Sequence, residues 1–162
     1  MIRTVSSLNS AGPTLNPMSK LIYVLNGPNL NLLGAREPEI YGSLTLADIE
    51  SELKNQANKL DCTIDFRQSN QEGDLVDWIH EAGSKKAAII LNAGAYTHTS
   101  IAIYDALMAV NADCIEVHLS NIFKREDYRH HSYISKASIG IISGFGAKSY
   151  ELALLALSEH TS

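Results

Sequence analysis

Apolar residues recur along the chain in two rhythms that take turns from residue 21 onward. Apolar runs at 21–25, 87–91, 114–117 and 139–142, with a looser alternation at 62–66, read as strands. The continuous runs suit strands covered on both faces. Between them, apolar positions fall three or four apart and predict helices. The first covers 44–60, with Ser43 as its N-cap and Leu46, Ile49, Leu53, Ala57 and Leu60 on one face. A second covers 72–82 and buries Leu75, Trp78 and Ile79. A third starts at Ser100 and turns Ile101, Tyr104, Leu107 and Met108 inward. A fourth closes the chain over 147–159, and a polar, charged loop is expected over 119–135. Strand and helix alternate throughout, so the economical fold is α/β. We expect a three-layer, flavodoxin-like, five-stranded parallel sheet of order 2-1-3-4-5.

The first nineteen residues break this rhythm. Ser, Asn, Pro and Gly dominate them, so 1–19 reads as a disordered N-terminal extension ahead of one domain over 20–162. Met18 is an alternative start. A net charge of −5 and a pI near 5.6, with no basic run, argue against nucleic acid as a partner. An anionic ligand must then be drawn by local cations. No apolar stretch is long enough to cross a membrane. Cys62 and Cys114 are isolated, without CxxC or metal-type spacing, which fits a reducing cytoplasm. His130 and His131 lack a third ligand at sensible spacing, so no metal site is expected.

Candidate chemistry collects at three strand ends. The first run breaks at Asn26-Gly27-Pro28-Asn29 into a long loop that carries Arg36 and, five residues on, Tyr41. A loop of that length beyond a strand end reads as an active-site lid; the alternative is a solvated Arg36 and a Tyr41 packed on the next helix. After the third strand come Asn92, His98, Thr99 and Ser100, which either line a site or cap the following helix. The fourth delivers Glu116 and His118, two apart and so on the same face. A carboxylate beside an imidazole orients it and favours its charged form, as a proton-donating His requires; a local strand-end hydrogen bond is the other reading. Arg125 and Arg129 share a face if their segment is helical and then suit carboxylate recognition. Lys124, Glu126 and Asp127 beside them allow an ordinary solvated charge run instead. In strand order 2-1-3-4-5 the first, third and fourth strands are neighbours, so all three clusters would meet at one rim.

The stretches NGPNLNLLGAREPEIYG, NAGAYTHTS, EVHLSN and REDYRHHSYIS stand in that order, followed by SGFGAKSY. Together they closely resemble type II 3-dehydroquinate dehydratases, from Lys20 to the C-terminal helix. Tyr128 departs from the more usual Phe, and both are aromatic. The resemblance implies reversible dehydration of 3-dehydroquinate to 3-dehydroshikimate in the shikimate pathway, through an enolate, without metal or cofactor. It implies a cytoplasmic homododecamer built from trimers. It matches Tyr41 to the base, Arg36 to the cation favouring its phenolate, and His118 to the acid. Glu116 matches the orienting partner of His118, and Asn29 a residue holding a water near the enolate. Asn92, His98, Leu119, Ser120 and Arg129 match substrate contacts, and Arg125 a lid-closing position. Asp105 matches a carboxylate reaching into a neighbouring subunit's site.

Two rival readings find less in the sequence. A flavin module wants a Ser/Thr-rich phosphate loop after the first strand, and a phospho-receiver wants acidic residues there; GPNLNLLG offers neither. A Ser-His-Asp hydrolase using Ser100 or Ser120 lacks a GxSxG elbow.

Overall fold

Long apolar runs need cover on both faces, and the chain supplies it with helices between successive strands. The structure, a computed structural model, describes residues 19–35 and 43–161. The described residues form one parallel sheet from β1 (Lys20–Asn26), β2 (Cys62–Gln68), β3 (Ala88–Asn92), β4 (Cys114–His118) and β5 (Gly140–Ser143). Its order is β2-β1-β3-β4-β5, as the alternation predicts. Helices α1 (Leu46–Lys59) and α4 (Lys148–Glu159) cover one face, packing on Ile22, Val24, Ile90 and Val117. Helices α2 (Glu72–Ser84) and α3 (Ile101–Val110) cover the other, over Tyr23, Leu25, Ile89 and Leu91. Residues 1–18 of the expected extension, Met18 included, lie outside the described residues. Ser19 is described, and its hydroxyl pairs with Thr63 Oγ1 at 2.9 Å.

Several local expectations are corrected. The N-cap of α1 is Thr45, not Ser43. Thr45 Oγ1 accepts from the Asp48 amide at 3.2 Å, and Asp48 Oδ2 accepts from the Thr45 amide at 2.9 Å. That reciprocal pair needs an acid three residues after the cap, which Thr45 has and Ser43 does not. Ile101 and Met108 point outward, at 56% and 55% exposure, because α3 rests on Ile103, Ala106 and Leu107. Trp78 is only half-buried and lies over the Arg67 guanidinium, 5.6 Å from its ring centroid. Arg67 also bridges Asp65 and Glu81, each at 2.7 Å, and closes the β2 edge against α2. The segment 119–135 is more ordered than a polar loop. Short 3₁₀ turns at Ile122–Lys124, Asp127–Arg129 and Ile134–Ala137 fold it back, burying Ile122 and Ile134.

One close approach shapes the sheet's upper rim. A Cβ on Gly27 would sit 2.3 Å from the Ala93 carbonyl oxygen, so only glycine lets the turns after β1 and β3 touch.

The reassigned cap is open to test by denaturant unfolding. Thr45→Ala is expected to lower stability by about 1 kcal/mol, whereas Ser43→Ala should change it by only a few tenths. Equal effects from the two would return the cap to Ser43.

Candidate active site

In a sheet of this order, ligands bind beyond the carboxyl ends of the strands, where the order reverses. Here that switch point lies between β1 and β3, whose last residues Asn26 and Asn92 stand side by side. Beyond it opens a cavity of about 230 Å³ walled by the chain leaving β1, β3 and β4. That is below the ~300–1,000 Å³ of sites for drug-sized ligands and suits one small metabolite.

From β1, the Gly27-Pro28 turn leads to Asn29 in the left-handed region, φ 67°, which Asn tolerates. The Asn29 amide donates to Asn70 Oδ1 at 3.0 Å, and a 3₁₀ turn, Leu30–Leu32, forms the apolar wall. From β3, Asn92 lines the floor and a 3₁₀ turn, Gly94–His98, brings in His98. Helix α3 takes its cap from Ser100, whose Oγ accepts from the Ile103 amide at 2.9 Å. Capping therefore accounts for Ser100 and leaves His98 to the site. His98 Nδ1 lies 2.7 Å from the His131 carbonyl oxygen. A carbonyl only accepts, so Nδ1 carries the proton and Nε2 is the acceptor nitrogen. Burial holds this imidazole below its ordinary value; the His131 hydrogen bond opposes that shift, and His118 and Arg129 add to it.

From β4 come Glu116, fully buried, and His118, almost so. Their side chains share a face, and His118 Nε2 meets Glu116 Oε1 at 2.6 Å. Ser132 Oγ lies 2.9 and 3.0 Å from the two carboxylate oxygens, its proton shared between them. The carboxylate thus fixes the His118 ring and leaves Nδ1 as the nitrogen able to exchange a proton. The His98 and His118 rings lie nearly parallel, with centroids 6.4 Å apart.

Leu119 and Ser120 continue the wall, followed by Arg125 and Arg129. The two arginines do not share a helix face, because Arg125 is extended between two separate 3₁₀ turns. Glu126 gathers them instead, accepting from Arg129 Nε at 2.9 Å and lying 3.6 Å from Arg125 Nε.

The described residues therefore bring together Asn29, Asn92, His98, His118, Leu119, Ser120, Arg125 and Arg129, with Glu116 beneath. Asp105 stays apart, exposed on α3. Arg36, Tyr41 and the part of the expected lid over 36–42 lie outside the described residues. On either side of that segment the chain comes together: a Cβ on Gly34 would sit 3.1 Å from the carbonyl oxygens of Ser43 and Leu44, next to the pocket-lining Leu33. Among the described residues, no group of three or more His, Cys, Asp or Glu is arranged to hold a metal ion. Ser132 is the residue that sequence reasoning missed. It sits inside the quoted REDYRHHSYIS stretch, but nothing local marks a serine that reaches a strand sixteen residues back.

Comparison with known proteins places this geometry. A family model described as "Dehydroquinase class II" matches residues 20–158. The chain is 57% identical over 141 residues to a 3-dehydroquinate dehydratase of Brucella canis, covering 87% of this chain and 90% of that protein. A crystal structure of type II dehydroquinase from Propionibacterium acnes superposes with a TM-score of 0.85 at 46% identity, over 88% of this chain and 99% of that one. A second, from Butyrivibrio crossotus, gives 0.85 at 40% identity, over 87% and 99%.

Ser132 offers a direct check of the buried carboxylate. Ser132→Ala leaves Glu116 Oε2 without its hydroxyl donor and should cost about 1–3 kcal/mol in denaturant unfolding. Ser132→Thr, which keeps the hydroxyl, should recover most of that. A Thr variant as unstable as the Ala variant would mean that packing, not the hydrogen bond, sets the cost.

Proposed function

Because the chain belongs to the class II dehydroquinase family, we propose that its pocket eliminates water from 3-dehydroquinate through an enolate, giving 3-dehydroshikimate. The family makes it a 3-dehydroquinate dehydratase, a hydro-lyase, and we read its place as the shikimate pathway. The observation that carries the mechanism is His118, locked by a buried carboxylate in the wall of a small polar pocket. A hydroxyl leaves as water only if it is protonated as its bond breaks, and His118 Nδ1 is the group oriented for that.

The base is Tyr41. A free phenol has a pKa of ~10 and is a poor base at neutral pH until a cation favours its ionised form. Arg36, in the same loop, is that cation. The phenolate takes the proton next to the ketone, the enolate forms, and Asn29 holds a water against its oxygen. His118 then protonates the departing hydroxyl, and solvent returns the proton from Tyr41 to His118. Asn92, His98, Ser120, the backbone at Leu119 and Arg129 hold the substrate's carboxylate and hydroxyls, while Arg125 closes over it.

Asp105 supports a shared site. It is exposed on α3 and not among the described residues that wall its own pocket; the family resemblance assigns it to a neighbouring copy in a trimer, with four trimers in a dodecamer. Buried, unpaired Cys62 and Cys114 support a reducing, cytoplasmic setting.

Absorbance of the conjugated enone product tests the reaction itself. Purified protein should produce it from 3-dehydroquinate, and Tyr41→Phe should bind substrate normally yet lose about 10²-fold or more in turnover. A Tyr41→Phe enzyme with over about a tenth of normal activity would move the base elsewhere. Sharing is tested by mixing. Tyr41→Phe and Asp105→Ala proteins, each weak alone, should recover about a quarter of sites when refolded together in equal amounts. Recovery of only the parental average would place Asp105 in its own chain's chemistry.

A further inference from the structure

Helix α4 packs against the sheet face opposite α3, yet one of its side chains reaches the floor of the pocket. Tyr150 is fully buried, and its hydroxyl sits between the last residues of β1 and β3. It donates to Asn26 Oδ1 at 2.7 Å and accepts from Asn92 Nδ2 at 2.8 Å. Asn26 and Asn92 are themselves buried, so each bond is made in a setting where an unmade one is costly.

The chain of bonds has only one self-consistent direction. Asn26 Nδ2 lies 3.0 Å from the Arg67 carbonyl oxygen, which can only accept. Asn26 must therefore turn its Oδ1 toward Tyr150, and the phenol must spend its single proton on that oxygen. With the proton committed, the phenol can only accept from Asn92, which must offer Nδ2. Asn92 Oδ1 is then the atom left to accept from other donors; the Gly94 amide reaches it at a long 3.3 Å, and Asn92 lines the pocket. Burial also pushes the Tyr150 phenol well above its ordinary value, so it keeps the proton on which this direction depends.

We infer that Tyr150 is a positioning residue that forces Asn92 to present its carbonyl oxygen, not its amide nitrogen, to the pocket. Rotated by half a turn, the same side chain would offer two N–H donors. As fixed, it takes a donor from the ligand, which selects a hydroxyl and disfavours a carboxylate or ketone oxygen at that place. The inference rests on the dehydratase reading and assigns one of the substrate's hydroxyls to Asn92 Oδ1. It also explains why a tyrosine, and not an isosteric apolar ring, occupies this core position on α4.

The test compares kinetic constants for 3-dehydroquinate in three variants. Tyr150→Phe keeps the ring and removes the hydroxyl. It should fold, raise KM about tenfold and leave kcat within about twofold. Asn26→Ala, outside the pocket wall, removes the acceptor for the phenol proton; Tyr150 can then donate to Asn92 Oδ1, and the same rise in KM is expected. Asn92→Ala should raise KM by itself, and adding Tyr150→Phe to it should raise KM no further. A folded Tyr150→Phe enzyme with unchanged KM overturns the inference, as does an effect that adds fully on top of Asn92→Ala. The wild-type protein supplies a readout that needs no variant to fold. Binding of 3-dehydroshikimate should shift the Asn92 side-chain carbonyl ¹³C resonance while its Nδ2 protons keep their contact with Tyr150; a ligand contact made by Nδ2 instead overturns it. Wild-type protein inert toward 3-dehydroquinate overturns the dehydratase reading, and this inference with it, before any variant is made.

Discussion

A carboxylate with no exposure to water is tolerable only when its oxygens are bonded, and the site is organised around satisfying one of them. Glu116 is the central residue of β4, two before its last residue His118, under the pocket. Its partners are His118, two residues on, and Ser132, which the long β4–β5 connection must fold back to deliver. That return has further consequences. The carbonyl next to Ser132, from His131, fixes the tautomer of His98, and the Tyr133 amide bonds the Thr97 carbonyl at 3.0 Å. One buried charge thus ties the β3 and β4 ends and the segment between β4 and β5 into a single rigid wall. Rigid placement of this kind is what lets hydrogen-bonding groups act on developing charge without reorganising first.

The opposite wall depends on a packing constraint. Gly27 lets the turn after β1 lie against Ala93, and this carries Asn29 and the Leu30–Leu32 turn over the crevice. The two walls have different chemistry. The β1 side is mostly apolar beyond Asn29, while the β4 side supplies His118, Ser120 and the Glu126-linked arginines.

Much of this was legible in the sequence, because strand order follows from alternation and strand ends follow from where apolar runs stop. Glu116 and His118 needed only the two-residue period of a strand. The errors have definite causes. Helix α3 is apolar nearly all round, so its periodicity could not say that Ile103, Ala106 and Leu107, rather than Ile101 and Met108, face the sheet. Ser43 has no acid three residues on, and the reciprocal bond between Thr45 and Asp48 sets the cap two residues later. Arg125 and Arg129 would share a face only on a helix; the segment is not one, and Glu126 joins them instead. Ser132 and Tyr150 act through contacts 16 and 58 residues away, which no local pattern encodes.

The claim that carries the account is that Glu116 holds His118 with Nε2 protonated and Nδ1 available for proton transfer. ¹⁵N spectra of the histidine rings, recorded on the wild-type enzyme near neutral pH, read this directly. The account predicts a proton on His118 Nε2, hydrogen-bonded to the carboxylate, with Nδ1 the nitrogen whose shift responds when 3-dehydroshikimate binds. A neutral ring protonated on Nδ1 with a bare Nε2, unaffected by the ligand, would contradict it.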